Sequence, residues 1–450
     1  MESEQTPTAA TAADHYIEKD GKWYDSEGRR VWRAGTLVYY KKDLIRMFFW
    51  LYVGQFSFFM EHIALPMLFP LLMAKKGFSA LEIGSLWAIF PLGSLVLFPI
   101  IGTLSDRART RWGRRRPFDL FTTPVWFVGL LMLPFCTEYW HALIAMILVG
   151  FAGAGSGVLN AFYNDVVPPE LLGRFSAGMR WLGSIGGLVV QLGAMRLFDA
   201  HPVLIFIAIA CIGFVGEMVM LWKVKEGEYP PPDRSPFMRT AFNFLKDGFA
   251  NRYIICVWLA IGIMSLGGPV MGLYFSLFFT DAETGLGLSA MRLGQVMGIG
   301  TIIGLVLVLP AGWIVDRFGP VKIFARFSLI VGVFQLLMCL FADSALKVTL
   351  FFCGYAAANT VLSATMIPLM YALIPRDKFG QLSGANMIVS RVLQIAGINL
   401  CGFIITASSN DYRYVFIVGG VTYMLVPCFL YLVGKQAYPF GDLKPTINEH

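Results

Sequence analysis

From about Leu44 to Gly434 the chain alternates long apolar runs with short polar breaks. A run of about 20 apolar residues crosses the hydrocarbon of a bilayer as a helix. The runs lack the polar face that a helix on a water-soluble domain presents. The pattern predicts twelve spans, at about 44–73, 80–104, 117–137, 140–166, 173–198, 202–223, 251–279, 291–315, 321–342, 346–374, 380–406 and 413–435. An even number of crossings puts both chain ends on one side. The first 43 residues are polar and contain no short apolar core of the signal-peptide kind, so the first span is expected to direct insertion.

Composition agrees: 56% of the 450 residues are hydrophobic and 14% are charged, against about 25% charged in soluble domains. The charges fall in the breaks, and unevenly. The loops after even-numbered spans hold Arg107 to Arg116, Arg174, Lys223 to Arg252, Arg317 with Lys322, and Arg376 with Lys378. The opposite loops hold few basic groups, such as Lys75, Lys76 and Lys347. Basic loops stay in the cytoplasm, so both termini are expected there, with the chain in the cell membrane. The net charge of +7 then reflects topology and anionic lipid rather than nucleic acid. The seven cysteines lie in predicted spans with no CxxC pair. They read as small buried hydrophobes, and no metal site or cofactor is expected.

The longest internal polar stretch, KVKEGEYPPPDRSPFMRTAFNFLKDGFANR (223–252), divides the chain near its middle. Its proline run cannot continue a helix. Phe237, Ala241, Leu245 and Phe249 then recur every four residues, which predicts a short amphipathic helix on the membrane surface. The expected organisation is a cytoplasmic tail (1–43), a six-helix bundle (44–223), a linker (224–250), a second bundle (251–435) and a short tail (436–450). The halves repeat one another. GTLSDR (102–107) follows the second span and GWIVDR (312–317) the eighth; VVPPELLGRFSAG (166–178) follows the fourth and LIPRDKFGQLSGA (373–385) the tenth. A duplicated six-helix unit is the signature of a secondary transporter. The fold class expected is an all-α membrane protein with twelve transmembrane helices in two pseudo-symmetric six-helix bundles.

The repeated motif has a physical reading. Gly102 permits close helix approach. Asp106 sits at the negative end of its helix dipole and needs a positive partner. The start of the eleventh span, near Gly380, offers free N–H groups, and Asp316 could dock in the same way near Gly173. Gly102, Asp106, Arg107, Gly113 and Arg114, with Gly312, Asp316, Arg317, Gly319 and Lys322, are therefore expected to form a cytoplasmic latch that closes in the outward-open state.

G-x-x-x-D-R-x-x-G-x-[basic] resembles the cytoplasmic loop signature of the major facilitator superfamily. The copy from Gly312 to Lys322 matches closely, and the first copy has four extra residues before its glycine. In that longer form SDRARTRWGRRRPF (105–118), together with GRFSAGMRWLGSIGG (173–187), resembles the glycoside–pentoside–hexuronide and sucrose symporters. MRWLGSIGG also resembles proton-coupled nucleoside symporters. The resemblance implies alternating access about a midplane site, a small polar solute moved with a proton, and a monomer in the bilayer. A sugar or glycoside comes first and a nucleoside second. A scaffold or sensor that keeps the fold without transporting is a third alternative. The chain departs from the sodium-coupled melibiose type, because PLGSLVLFPIIG (91–102) contains no acid; a proton or no coupling ion is expected before another cation.

Charges at membrane depth are costly and usually functional. Glu61, with His62 beside it, lies near the middle of the first span, and Arg391 near the middle of the eleventh. In the superfamily both spans line the central cavity. This makes Glu61 the candidate proton carrier and Arg391 its partner or a donor to solute. Asp165, Arg180 and Glu217 lie nearer the cytoplasmic ends, and the resemblance favours a gating or binding role for Arg180. Solute hydroxyls need neutral hydrogen-bonders beside aromatic platforms. The candidates are Gln55, Asn160, Tyr163, Asn164, Gln191, Asn359, Asn386 and Gln394, with Trp87, Trp181 and Tyr274 for stacking. No catalytic constellation is visible, so an enzyme is not expected. DGKWYDSEGRRVWRAG (20–35) has turn residues between aromatic runs and reads as a hairpin or an unstructured stretch.

Overall fold

The structure is a computed structural model. It describes residues 16–19, 22–229, 248–249, 251–374, 379–436 and 438–439. The surface helix expected in the linker, apart from Phe249, lies outside the described residues, as do Arg376, Lys378 and the side chains at the start of the eleventh span, Gly380 among them.

Among the described residues, twelve helices are long and apolar enough to cross a membrane: spans one (Lys41–Lys75), two (Ala80–Arg107), three (Arg116–Phe135), four (Tyr139–Val166), five (Pro169–Phe198), six (Pro202–Lys223), seven (Arg252–Thr280), eight (Ala290–Phe318), nine (Pro320–Phe341), ten (Ala345–Leu373), eleven (Phe379–Ala407) and twelve (Tyr412–Lys435). Every end lies within four residues of its expected position, because polar caps mark the ends. Ser79 and Glu82 form a capping box at the start of span two. Ser289 and Ser344 cap spans eight and ten, and Gly319 ends span eight at φ 81°. The glycine-rich run in span four packs as small residues do between membrane helices. The Gly150 backbone lies against Gly93 of span two, and Phe98 fills the space over Gly157.

Helix packing displays the duplication. Span one packs on five and six, two on four, and three on four and six. Span seven packs on eleven and twelve, eight on ten, and nine on ten and twelve. Adding six to each number in the first set produces the second. The contacts between halves obey the same rule: two meets eleven, eight meets five, and one meets seven.

Those contacts gather at the end remote from the chain termini. The Tyr274 hydroxyl donates to the Ile398 carbonyl (2.8 Å) and lies against Gly84 of span two. Gly294 of span eight packs on the Gln191 backbone and Met195 of span five. The Ala290 N–H donates to Asp199 (3.0 Å), whose other oxygen meets Lys75 (3.0 Å). At the opposite end a Cβ added at Gly102, Gly173 or Gly312 would meet nothing within 4 Å. Among the described residues, these contacts join the halves at the end remote from the termini.

The N-terminal stretch is a docked sheet. Strands β1 (Ile17–Lys19), β2 (Lys22–Tyr24), β3 (Arg30–Ala34) and β4 (Leu37–Tyr39) form an antiparallel meander in sequence order. Its β2–β3 turn is built on Asp25, which accepts from the Glu27 and Arg29 N–H groups and from Arg29 Nε. Trp32, Leu37 and Tyr39 pack against the start of span one and Val224. Arg30 pairs with Glu170 (3.1 Å), and Thr36 accepts from the Glu228 N–H (2.8 Å). The sheet thus covers the terminal end of the first bundle.

Candidate functional site

A cavity of about 360 Å³ opens between the halves, within the usual range for small-molecule sites. Span one contributes Phe59 and Ile63, span five Arg180, Trp181 and Ser184, and span eight Thr301. Arg180 is the charged group in this lining. Trp181 is 50% exposed and presents its indole to the space. Thr301 donates to Gln191 Oε1 (2.8 Å), joining spans eight and five. The arrangement offers a cation, a hydroxyl pair and an apolar ring face, which suits a small polar solute with hydroxyls.

Of the residues proposed from sequence, Arg180 and Trp181 meet in this cavity, and Gln191 holds the bond beside it. Others are placed elsewhere. Glu61 is 2% exposed and faces span six, where its carboxyl occupies the space over Gly213. The expected cavity position and the expected pairing with Arg391 are therefore corrected. The reason is helical phase. Phe59 and Ile63 share the cavity face of span one, and Glu61, two residues from each, turns about 200° away. Arg391 is half-buried and donates to Gln394 on its own helix (2.7 Å). Tyr274 is a seal between the halves rather than a stacking platform. Trp87 is buried between Phe69 and Phe90. Tyr163 is packed on Phe175 with its hydroxyl toward Met220 Sδ (3.8 Å). Gln55 is 3% exposed, and its Oε1 has no partner. Asn160 and Asn164 are exposed on span four. Asn359 and Asn386 are half-buried on spans ten and eleven, the second with an unpartnered Oδ1.

The arginine cluster is knitted into the first bundle. Arg114 grips both oxygens of Asp165 (2.8 Å each), and Arg115 reaches Asp165 (2.6 Å) and Asp106 (3.0 Å). Asp165 therefore anchors this network and stands apart from solute. Asp106 bonds Arg115, and Asp316 is exposed; the side chains at the start of span eleven, expected to receive Asp106, lie outside the described residues. Two residues that sequence reasoning passed over complete the region. The Glu226 carboxylate accepts the backbone N–H groups of Arg114 (2.6 Å), Arg115 (2.9 Å) and Arg116 (2.6 Å), as an anion does at a helix N-terminus. Asp119 is 4% exposed inside span three. Its signal was an acid inside a predicted span, two residues after a helix-starting proline.

Beside Asp119 lies Glu217, which accepts from Thr123 (3.0 Å). His62 is stacked between Phe58 and Trp126 and donates from Nδ1 to the Phe58 carbonyl (3.0 Å). These groups line a separate cavity of about 30 Å³ within the first bundle.

Twelve apolar helices, a six-plus-six repeat and a largely apolar cavity at the junction of the halves, with Arg180, Ser184 and Thr301 as its polar groups, define a membrane carrier that works by alternating access. The sequence matches the family description "Major Facilitator Superfamily" over residues 51–398. The chain belongs to the major facilitator superfamily, whose members are transporters and not enzymes. It is 28% identical to mouse "Solute carrier family 45 member 4" over 212 residues, 40% of this chain and 26% of that protein. It is 33% identical to the "D-xylose transporter" of Levilactobacillus brevis over 87 residues, 19% and 18% of the two chains. The matched stretches thus cover about a quarter or less of these relatives. Solved structures share the fold over far more of their length. The nucleoside transporter NupG superposes at a TM-score of 0.68 with 13% identity, covering 87% of this chain and 100% of that one. A D-xylose–proton symporter superposes at 0.63 with 16% identity, covering 86% and 97%.

Proposed function

We propose that this protein imports a sugar or glycoside by alternating access in symport with a proton, and that the structure is its inward-open state. The observation that carries the reading is the cavity between the halves that holds Arg180, Trp181 and Thr301, with the Gln191–Thr301 bond beside it and the Tyr274 and Asp199 contacts at the end remote from the termini; we read it as open toward the arginine-rich end. The basic loops assign that end to the cytoplasm of a cell-membrane protein. Arg180 and the Gln191–Thr301 pair supply donors and acceptors for hydroxyls, and Trp181 a platform for a ring face. The similarity to a D-xylose transporter supports a sugar. The same Trp and Arg would also suit a nucleoside, the solute of the structural neighbour NupG, and this is the second reading. The Asp106 and Asp316 loops would latch the cytoplasmic face once the halves rock closed.

The test is uptake into proteoliposomes, with and without an inward proton gradient, screened over monosaccharides, glycosides and nucleosides. Gradient-driven accumulation of a sugar supports the proposal. Accumulation of nucleosides alone overturns the sugar assignment, and no uptake of any solute favours a sensor or scaffold. Glu61→Gln should abolish accumulation driven by the gradient while solute exchange partly survives. Unchanged accumulation in that variant would remove Glu61 from coupling.

A further inference from the structure

The first bundle contains three buried acids within its spans, on three different helices: Glu61 on span one, Asp119 in the first turn of span three and Glu217 on span six. They are 2%, 4% and 7% exposed. Glu61 Oε1 and Asp119 Oδ2 have no hydrogen-bond partner, and Asp119 and Glu217 share the lining of the small cavity. Around Glu61 the packing is apolar, with Ala64, Leu65, Leu68, Leu130 and Phe206. Trp126 Nε1 is also unpartnered in this region.

The charged and titratable groups facing the cluster are few. Span one adds His62, which is stacked and bonded to a carbonyl. Span four adds the Tyr163 phenol. Arg115, just before span three, and Glu226, just after span six, also act on Asp119, but Arg115 already pairs with Asp165 and Asp106. No basic side chain forms an ion pair with any of the three acids among the described residues. Neighbouring carboxylates without counter-charge in a dry interior repel strongly, and burying each one ionised costs many kcal/mol. Protonation removes that cost, and a protonated carboxyl donates a hydrogen bond where a carboxylate cannot.

We propose that Glu61, Glu217 and Asp119 form one proton-holding chamber inside the first bundle, separate from the solute cavity, with Asp119 as its door to the cytoplasmic end. This deepens the symport reading and rests on it for its use. The chamber holds at least one proton among its carboxyls. The cavity beside Asp119, about 30 Å³, has room for one water that relays the proton between Asp119 and Glu217. Asp119 lies one turn inside span three, below Arg115, whose guanidinium holds the 58% exposed Asp106. Deprotonation is then the transfer of one H⁺ from a chamber carboxyl through Asp119 to cytoplasmic water, leaving one carboxylate within the field of Arg115. Span one joins the two sites. Its cavity face presents Phe59 and Ile63 to solute, and its opposite face carries Glu61, so a rotation of that helix on binding alters both.

The test reads the proton directly and needs no solute. Infrared spectra of the full-length protein in neutral-lipid vesicles should show a buried protonated-carboxyl C=O band near neutral pH that fades as pH is raised. Glu217→Gln, Asp119→Asn and Glu61→Gln, each isosteric, should each remove or shift it. Absence of the band in the wild-type protein overturns the proposal, as does a band that all three variants leave unchanged. Loss of the band on adding sodium at constant pH also overturns it, since the cluster would then be a sodium site. In the uptake assay, Asp119→Asn should lower gradient-driven accumulation at least roughly tenfold while solute counterflow persists. Unaltered accumulation in that variant overturns the door. If the band behaves as expected and no solute is taken up by any variant, the chamber stands and the sugar-symport reading fails.

Discussion

The two bundles share one architecture and divide the chemistry unequally. Span for span, the packing of the first half maps onto the second. Yet among the described residues the buried charges Glu61, Asp119 and Glu217 all belong to the first. The second bundle uses neutral groups in its interior: Ser276, Ser328, Gln335, Thr365 and Thr422. At Gly419 the second bundle sets the Gln335 amide, as the first sets the Glu61 carboxyl at Gly213. The repeated D-R motif diverges too. Asp106, itself 58% exposed, is held by Arg115 in a network with Asp165 and Arg114, whereas Asp316 forms no ion pair among the described residues. Duplication therefore preserved the helix contacts that make a rocking pair. The first half took the ionisable machinery, and the second became a largely neutral wall against which it moves.

The sharpest way to break this comparison is to cut the arginine network. Asp165→Leu leaves Arg114 and Arg115 without their shared carboxylate, and breaking such a pair costs about 3 kcal/mol or more. The same substitution at Asp316, the second-half counterpart of Asp106 in that network, should stay within about 0.5 kcal/mol. Thermal unfolding in detergent checks both, and equal losses would deny the asymmetry. Next, Arg180→Ala removes the cavity cation, and KM for the transported solute should rise roughly tenfold with little loss of stability. The corresponding test in the second half is Arg391→Ala, whose guanidinium is bonded to Gln394. Its KM should change less than that of Arg180→Ala.

Smaller effects test the packing. Gly213→Ala should destabilise by about 1–3 kcal/mol by overpacking against Glu61, while Gly312→Ala, which meets open space, should be neutral. Finally, Asp106→Asn should shift the resting population modestly toward inward-open, read by cysteine accessibility from each side. A shift toward outward-open would argue against a latch.

Much of the architecture was legible in the chain because it follows from local physics. Apolar run lengths located all twelve spans, and the paired motifs exposed the repeat before any contact was known. The site was less legible. Arg180 and Trp181 were found through a short motif. Glu61 was correctly read as buried, but its direction depends on the phase of one helix against two others. Asp119 lay inside the predicted third span but was passed over beside the arginines that precede it. Glu226 gave no local sign at all, since its role depends on the N–H groups of residues more than a hundred positions away. The sheet at Ile17–Tyr39 was left open between hairpin and unstructured chain because its stability comes from docking on span one and the linker.

Hydropathy, loop charge and the internal repeat are one-dimensional signals, and they settled that this is a twelve-span, two-bundle carrier. Which polar residues face the cavity, which are enclosed behind it, and where the halves touch depended on helix rotation and on partners distant in the chain. Those are properties of packing between helices. A single residue step turns a side chain by 100°, so only the assembled bundle could separate the solute face of span one from its acidic face.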